Sequence, residues 1–434
     1  MEPPMRKDTL RLGVVGLGTV GTGTVKIVQN HAAMLSARTG TSIEITAVSA
    51  RSRSKDRGID ISAYAWEDDP VALAKRDDVD VLVELMGGTD GPAKAATEAA
   101  LSLGKSVVTA NKALLAVHGQ ALAELAEANG AQIRFEAAVA GGIPVVKALT
   151  EGLAANAMTR VLGVMNGTCN YILTRMESAG LPYDTVFQEA NDLGYLEADP
   201  NLDVGGIDAG HKLALLASIA FGTQVDFDAV ALEGIGAITI EDISRAADMG
   251  YKIKLLGLAQ MTDAGLQQSM RPCLVPASSP LGQLEGGTNM VVLEGDAVGQ
   301  IVMRGAGAGE GPTASAVMAD VCDLARGIDL PVFGQPAASL AKAAPAVSAT
   351  PCPYYLRLTL CDEPGALAQV ATTLGNSGIS IDRMRQYDHS DADTAPVLIV
   401  THACAPNDLD RAVSALTQIA TVVGAPVALQ IQNV

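Results

Sequence analysis

The sequence is poor in the residues that usually carry metal or thiol chemistry. Its 434 residues include only five histidines and six cysteines. No two cysteines form a CxxC pair, and no histidine has a second ligand at helical spacing, so a zinc site is not expected. We expect the cysteines to be reduced thiols; they are Cys169, Cys273, Cys322, Cys352, Cys361 and Cys404.

Long apolar runs and clusters of positive charge are also missing. Apolar residues make up 48% of the chain, yet no uninterrupted run approaches the ~18 residues that span a bilayer, so no membrane partner is expected. A formal net charge of −18 without a run of Lys or Arg argues against nucleic-acid binding. The opening MEPPMRKDTLR has no apolar stretch typical of a secretory signal, and we expect a cytoplasmic protein.

The length predicts about three domains at roughly 150 residues each. Short apolar strands alternate with Ala-rich helical stretches over residues 1–142, which predicts an α/β Rossmann-type domain with a doubly wound parallel sheet. Residues 143–335 are interpreted as a second, α+β domain, and the Ala- and Pro-rich residues 336–352 as a linker. Residues 353–434 are expected to form a small α+β sandwich with two helices on one face of a sheet.

A glycine-rich turn follows the first strand and opens a helical stretch. In that setting a GxGxxG pattern predicts a dinucleotide site, because the glycines allow a tight turn, close approach to a pyrophosphate and close helix packing. The alternative is an ordinary Gly-rich turn. The predicted cofactor-binding residues of this turn are Gly16, Leu17, Gly18, Thr19, Val20 and Gly21.

The second strand ends in a basic loop rather than in the acid that would bind the ribose of NAD. The segment reads ARSRSK from position 50 to 55. Cations here fit the 2′-phosphate of NADP, and Arg51 is the expected contact because its planar fork suits phosphate. A solvated basic loop is the alternative.

Several long strings outside these features resemble homoserine dehydrogenases. The resemblance covers the first two domains almost continuously, and the strings are NKALLA at 111–116, EAAVAGGIP at 136–144, NGTCNYILT at 166–174, GYLEADPNLDVGGIDAGHKLALLASIAFG at 194–222, GYKIKLLG at 250–257 and GAGAGEGPTASAVMADVCDLAR at 305–326. It implies an NADP- or NAD-dependent oxidoreductase that interconverts L-homoserine and L-aspartate 4-semialdehyde in threonine and methionine biosynthesis. It also makes the second domain the substrate-binding and dimerisation domain.

The resemblance assigns roles to one buried helix and its surroundings. The stretch from 206 to 222 is apolar nearly all round and is expected to be buried. Asp208 and Lys212 lie four residues apart on one face of it, and burying their charges is costly unless they pair or bind a polar group. A structural ion pair is the alternative. The resemblance implies that Lys212 moves the proton, while Glu197 and Asp208 bind the substrate's amino end with Asp203 in support.

Lys112 follows a strand at the end of the sheet where ligands of open α/β folds bind. The resemblance makes it a second catalytic lysine that also touches the cofactor; a surface lysine that begins a helix is the alternative. Gly194 and Gly309 are assigned to the cofactor on the same basis. Cys169 has no neighbouring histidine and is expected to be a packed thiol rather than a nucleophile.

The family also implies a structural sodium ion in the turn between the first two domains. Carboxylate and backbone carbonyl oxygens suit such a hard cation. The implied ligands are Glu136 with the backbone of Val139, Gly141 and Ile143, and a plain Gly-rich turn is equally consistent with the composition.

The last domain resembles an ACT domain, a module that binds small amino acids. The motif DEPGAL at 362–367 and the following NSGISIDRMRQ carry this resemblance. It implies an amino-acid site that includes Gly365 and Asn376, with threonine as the expected effector, and a homodimer or homotetramer because such modules usually pair. A domain used only for assembly is the alternative.

Two other functions remain open at this point. An NADP enzyme acting on another amino-acid aldehyde or hydroxy acid would keep the glycine turn but not the GYLEADP and GIDAGHK strings. A non-catalytic sensor would not need both lysines and both acids. No kinase-like stretch precedes residue 10, so a fusion to aspartate kinase is not expected.

Overall fold

A computed structural model describes residues 8–196, 199–346, 349–387 and 393–433 of the chain. Glu197, assigned above to the substrate, lies outside the described residues. Within the described ranges, no helix is both long and apolar enough to cross a membrane.

The N-terminal domain is a six-stranded parallel sheet with helices on its faces. Its strands run in the order β3-β2-β1-β4-β5-β6, so the order reverses between β1 and β4. This confirms the doubly wound fold expected from the sequence. The elements are β1 (Thr9–Val15), α1 (Thr19–Thr39), β2 (Ser42–Ser49), β3 (Ala65–Trp66), α2 (Pro70–Lys75), β4 (Val81–Glu84), α3 (Pro92–Ser102), β5 (Ser106–Thr109), α4 (Lys112–Ala128) and β6 (Ile133–Arg134).

The second domain adds a large mixed sheet and the helices that carry the substrate strings. Strands β12, β11, β7, β9 and β10 lie side by side in that order, and β8 pairs with β10. The elements are α5 (Val145–Lys147), β7 (Met158–Val164), α6 (Gly167–Ala179), α7 (Tyr183–Asp192), α8 (Asn201–Val204), α9 (Ile207–Phe221), β8 (Ala231–Leu232), α10 (Ile240–Asp248), β9 (Tyr251–Thr262), β10 (Gly265–Pro276), β11 (Thr288–Gly295), β12 (Gly299–Ala306) and α11 (Glu310–Arg326).

Helix α11 returns from the second domain to the first and packs on α1. Val317 and Val321 join the core that contains Leu12 of β1 and Val25 of α1. At its N-terminus, Glu310 accepts a hydrogen bond from Lys26 of α1 at 2.7 Å. The first core is therefore completed by residues from the last helix of the second domain.

Helix α9 is the central buried helix of the second domain. Left-handed glycines bound it at both ends, with φ of 83° at Gly206 and 65° at Gly222. Leu213 packs against Gly257 of β9, and Gly210 allows Phe227 to lie against the helix. Because its sides are covered by apolar groups, the charged residues of its first turns are removed from water.

The third domain is a four-stranded antiparallel sheet with two helices, as expected for the sandwich. Its own strand order is β16-β13-β15-β14. Its elements are β13 (Tyr354–Cys361), α12 (Ala366–Asn376), β14 (Ile381–Gln386), β15 (Thr394–Thr401), α13 (Pro406–Leu416) and β16 (Val422–Ile431).

Strand β16 joins the sheets of the second and third domains into one. It pairs with β10 in parallel, Cys273 opposite Gln430 and Leu274 opposite Ile431. Beside this seam, Arg357 of β13 donates to the fully buried carboxylate of Asp242 at the start of α10, at 2.6 Å. The third domain is thus joined to the second by main-chain pairing with its sheet and by a buried ion pair with α10.

The segment interpreted as a linker makes hydrogen bonds to both the first and the second domain. Its Ala337 N–H donates to Glu127 of α4, and Ala341 accepts from Gln224 after α9. Further along, Leu266 of β10 exchanges hydrogen bonds with Ala344 and Ala346. Several backbone groups between residues 337 and 346 are therefore paired with folded structure.

Candidate active site

The glycine-rich turn has the geometry that a dinucleotide needs. Gly16 has a φ of 95°, and a Cβ there would lie 2.5 Å from the Leu85 carbonyl. A Cβ on Gly21 would lie 2.0 Å from the Gly16 carbonyl, whereas one on Gly18 would meet nothing within 4 Å. Gly16 and Gly21 are thus required by the fold, and Gly18 leaves space above the helix N-terminus for an anion.

A cavity of about 550 Å³ opens over this turn. Four of the residues predicted to bind the cofactor, Gly16, Leu17, Gly18 and Arg51, line it together with Lys55. The cavity also reaches the residues that follow β4, so it crosses the point at which the strand order reverses. Ligands of doubly wound folds bind at this place.

Arg57 is a cavity residue that sequence reasoning missed. Its guanidinium donates to three backbone carbonyls, those of Leu17 at 3.0 Å, Lys55 at 2.8 Å and Ser52 at 2.6 Å. It therefore ties the basic loop to the glycine-rich turn, which leaves Arg51 and Lys55 to face a ligand. The sequence showed only that cations were concentrated here.

The carboxylate of Asp208 lies between the two candidate catalytic lysines. Lys212, one turn further along α9, donates to its Oδ2 at 2.6 Å, and Lys112 at the start of α4 lies 2.9 Å from its Oδ1. Lys212 also donates to the Met165 carbonyl at 2.8 Å. Residues from both domains thus form one charged cluster.

Burial and charge act in opposite directions on Asp208. Its side chain is only 8% exposed, and burial alone would raise the pKa of the carboxyl. The charges of Lys212 and then Lys112, with their hydrogen bonds, outweigh burial and hold the pKa of Asp208 well below 3.8. The two lysines therefore favour the ionised form of this carboxyl group.

Asn166 is the second residue that sequence reasoning missed. It caps helix α6 by accepting from the Cys169 N–H at 2.8 Å, and its amide donates to Asp203 at 2.9 Å and to Asp208 at 3.3 Å. An Asn directly before a helix after a strand is the signal that marks such a cap. Asn166 thus aligns the two acids with each other.

Cys169 is a packed thiol, as expected. It is fully buried, and its Sγ donates to the Asp203 carbonyl at 3.3 Å. Burial, with the negative charges of Asp203 and Asp208, raises its pKa well above 9.0. The thiolate that a nucleophile needs is therefore disfavoured.

Gly194 and Gly309 occupy turns away from the walls of the cavity. Gly194 is exposed after α7, with a φ of 73°. Next to it, the carbonyl of Tyr195 accepts from the Thr168 hydroxyl at 3.0 Å, which ties this turn to α6. Gly309 caps α11 with a φ of 123°, where α11 meets α1.

The turn that links the first two domains buries a carboxylate. Glu136 accepts from the N–H groups of Val146 at 3.0 Å and Lys147 at 2.8 Å. Burial raises the pKa of Glu136 to about 7. Left-handed backbone follows at Ala140 and Gly141, each with a φ of 54°.

Gly365 and Asn376, the candidate effector residues, lie at opposite ends of one helix. Gly365 precedes α12 with a φ of 92°, and Asn376 is its last residue. At 1.5 Å per residue they are separated by roughly 16 Å. A single amino acid therefore touches both only if they come from two copies of the chain.

Fold and site together define a nicotinamide-dependent oxidoreductase. A dinucleotide cavity lies at the reversal of a doubly wound sheet, and a buried lysine and a half-buried one share one buried carboxylate. Family models match the homoserine dehydrogenase NAD-binding domain at residues 16–136, homoserine dehydrogenase at residues 144–322 and the ACT domain at residues 354–421. The chain belongs to the homoserine dehydrogenase family.

Similar proteins cover the chain almost from end to end. A homoserine dehydrogenase of Neisseria gonorrhoeae is 42% identical over 94% of this chain and 95% of its own. The crystal structure of a homoserine dehydrogenase from Thiobacillus denitrificans is 37% identical, with a TM-score of 0.92 and 98% of each chain covered. A hyperthermophilic archaeal homoserine dehydrogenase mutant in complex with NADPH is 26% identical, covering 73% of this chain and 97% of that one at a TM-score of 0.62.

The different surroundings of two glycines in the turn lead to opposite expectations for an added methyl group. Gly21→Ala pushes a Cβ into backbone and is expected to lower the free energy of unfolding by about 3 kcal/mol. Gly18→Ala is expected to leave unfolding within about 0.5 kcal/mol of wild type but to weaken NADPH binding about tenfold, since the methyl occupies the anion's space. Urea denaturation and NADPH fluorescence titration measure the two effects.

Gly375→Ala, in helix α12 with nothing within 4 Å of the added Cβ, is the matched control. It should lower neither the free energy of unfolding nor the affinity for NADPH. Equal cofactor affinity in Gly18→Ala and wild type would contradict the assignment of the turn.

Proposed function

We propose that the Lys112–Asp208–Lys212 cluster is where this chain carries out the homoserine dehydrogenase reaction. The observation that supports this most directly is the shared carboxylate, which holds two ammonium groups from different domains within 2.9 Å. The reaction converts L-aspartate 4-semialdehyde to L-homoserine and back. The nicotinamide cofactor, when bound, supplies or takes up the hydride.

Lys212 is the proton-transferring group in this proposal. Its ammonium has three donors, of which two are committed to Asp208 and to the Met165 carbonyl. The third is directed to the aldehyde oxygen of the substrate. As the aldehyde carbon becomes an alcohol carbon, Lys212 gives a proton to that oxygen; in homoserine oxidation it accepts the hydroxyl proton.

The acids of the cluster bind the ammonium of the substrate. A carboxylate has about four acceptor positions, and Asp208 already receives Lys112, Lys212 and Asn166. One acceptor position of Asp208 therefore remains for the ammonium of the substrate. Asp203 is linked to Asp208 by the amide of Asn166, which donates to both. The family resemblance assigns Glu197 as a further acid. Lys112 then lies between cofactor and substrate and offers its charge to both.

NADP is the proposed preferred cofactor, with NAD as an alternative. Arg51 and Lys55 line the cavity after β2, where a 2′-phosphate would lie, and no acid follows the strand at 50–55. The NADPH complex of the archaeal relative supports the same choice. Arg57 is bound to carbonyls and serves to hold the loop.

A structural sodium ion is proposed at the interdomain turn. Glu136 is 2% exposed, and burial affects the pKa of its carboxyl group more than the nearby charge of Lys147 does. The carbonyls of Val139 and Gly141 are buried and accept no hydrogen bond from the described part of the chain. Buried carbonyl and carboxylate oxygens fit a hard cation, which Glu136, Val139, Gly141 and Ile143 would hold. The ion would supply fixed positive charge at the junction of the domains.

We further propose that threonine binds the third domain and lowers activity, in a homodimer or homotetramer. The ACT family match gives the chemical class of the effector, a small amino acid. Gly365 and Asn376 are too far apart to share one ligand within a copy, which favours a site between two copies.

Replacing Lys212 tests the chemistry directly. Lys212→Ala is expected to lower kcat for NADPH oxidation by aspartate semialdehyde about 100-fold or more. Lys212→Arg keeps the charge beside Asp208 but does not release a proton at working pH, so it should remain nearly as slow. Exposed Lys75→Ala is the control.

If Lys212→Ala turns over at the wild-type rate, proton transfer by this lysine is refuted. If the wild-type protein turns over with neither nicotinamide cofactor, a non-catalytic sensor takes the place of the enzyme. Turnover of a different amino-acid aldehyde in preference to this one would change the substrate assignment.

Sodium dependence tests the interdomain turn. At about ten times its Kd a bound ion adds about 1.4 kcal/mol to stability, so exchanging sodium for choline should lower Tm by roughly 2–5 °C. Glu136→Gln is expected to abolish that difference, whereas Glu151→Gln, at an exposed site, should preserve it. A wild-type Tm independent of sodium would mean that the turn holds no ion.

Threonine titration tests the third domain. Added threonine is expected to lower kcat/KM, and Asn376→Ala to raise the threonine concentration for half-inhibition about tenfold through loss of a hydrogen bond. Asn407→Ala, exposed at the start of α13, should leave inhibition unchanged. Light scattering with and without threonine gives the subunit number. A monomer insensitive to threonine would refute both proposals.

A further inference from the structure

One buried carboxylate, that of Glu84, bonds to two turns at the cofactor end of the sheet. Glu84 is the last residue of β4 and is fully buried. Its Oε1 accepts from the N–H groups of Met86 at 2.7 Å and Gly87 at 3.3 Å, and its Oε2 accepts from the Thr109 hydroxyl at 2.7 Å. These donors are all neutral. A buried polar group of this kind is costly unless its hydrogen bonds are in place.

The first of the two turns forms part of the cofactor cavity. Met86 and Gly87 line that cavity. Gly87 and Gly88 both have left-handed backbone, with φ of 81° and 93°. The two hydrogen bonds to Glu84 fix the N–H groups at the start of this turn, so the carboxylate determines the shape of the cavity wall.

The second turn begins the helix that carries Lys112. The Thr109 hydroxyl donates to Glu84 and accepts from the Asn111 N–H at 2.9 Å. Asn111 then caps α4 by accepting from the Leu114 N–H at 3.1 Å, and its amide donates to the Gly88 carbonyl at 2.8 Å. Lys112 is the next residue, and its ammonium lies 2.9 Å from Asp208.

We propose that Glu84 and Thr109 are positioning residues. They fix the turn that lines the cofactor cavity relative to the start of α4, and thereby direct Lys112 towards Asp208. The inference deepens the proposed function and rests on the role given there to Lys112. Neither residue needs to touch the substrate. Each acts through the next group in the chain of hydrogen bonds, from Glu84 to Thr109 to Asn111.

The two oxygens of Glu84 allow the two halves of this arrangement to be separated. Thr109→Val is close in shape and removes only the hydroxyl, so the link to Asn111 is lost while Met86 and Gly87 keep their acceptor. We expect kcat to fall between about 10- and 100-fold, as for a reacting group displaced by about 1 Å, with NADPH affinity nearly unchanged. Glu84→Gln alters both turns and is expected to weaken NADPH binding as well as to lower kcat.

Thr97→Val is the matched control in the same domain. The Thr97 hydroxyl is buried in α3 and has no hydrogen-bond partner in the described structure, so its removal should change neither kcat nor NADPH affinity. Thr109→Ser restores the hydroxyl and is expected to recover most of the rate lost in Thr109→Val. Recovery by serine separates hydrogen bonding from the packing of the methyl group.

A double-mutant cycle with Lys112→Ala decides whether Thr109 acts through the lysine. We measure kcat by NADPH absorbance, NADPH affinity by fluorescence, and Tm for each variant. If the inference holds, Thr109→Val costs at least tenfold in the wild-type background and less than about twofold in Lys112→Ala.

An equal loss in both backgrounds, or a lower Tm with unchanged kcat, would make Thr109 a structural residue and overturn the inference. If Lys112→Ala is as active as wild type, the proposed role of Lys112 fails and the positioning inference falls with it. If Lys112→Ala is slow but Thr109→Val is not, only the positioning inference fails.

Discussion

The proposed active site depends on keeping one carboxylate, Asp208, charged inside the protein. Burial disfavours that charge, and Lys212 and Lys112 more than compensate for it. Because the lysines come from α9 and α4, the ion cluster can exist only when both domains are folded and in contact. The same requirement explains the capped helix α6, whose Asn166 orients the acids, and the apolar sides of α9, which exclude water from them.

Domain contact is in turn secured by chain segments that cross between the cores. Helix α11 leaves the second domain and completes the first core, and the turn around Glu136 lies where that helix passes, since Asp320 of α11 accepts the Glu136 N–H at 2.8 Å. The cofactor cavity and the lysine cluster are therefore not on separate lobes joined by one linker. Their relation is fixed by packing on both sides of the junction.

Local patterns in the sequence predicted the elements whose causes are local. The alternation of apolar strands and Ala-rich helices predicted the doubly wound sheet, and the GxGxxG pattern predicted a dinucleotide site after β1, where the cavity lies. Both features depend on residues that are neighbours in sequence. The roles of Arg57, Asn166 and Glu84 were not accessible in this way. Asn166 and Glu84 act through partners far away in sequence, Asp208 and Thr109. Arg57 connects two carbonyls of its own loop to the carbonyl of Leu17, which lies 40 positions earlier. The local sign of Glu84 is an acid near the end of the apolar stretch VDVLVEL, which also contains Asp80.

The pairing of β16 with β10 places the end of the chain inside the central sheet. During synthesis, β10 leaves the ribosome on the order of ten seconds before its last neighbour at common elongation rates. Until then an edge of the catalytic sheet has unpaired main-chain groups, which are prone to pair with other chains. Loss of β16, or a bulky group attached to it, would therefore expose that edge permanently, and a defect in the last strand of the third domain would cause aggregation through the second.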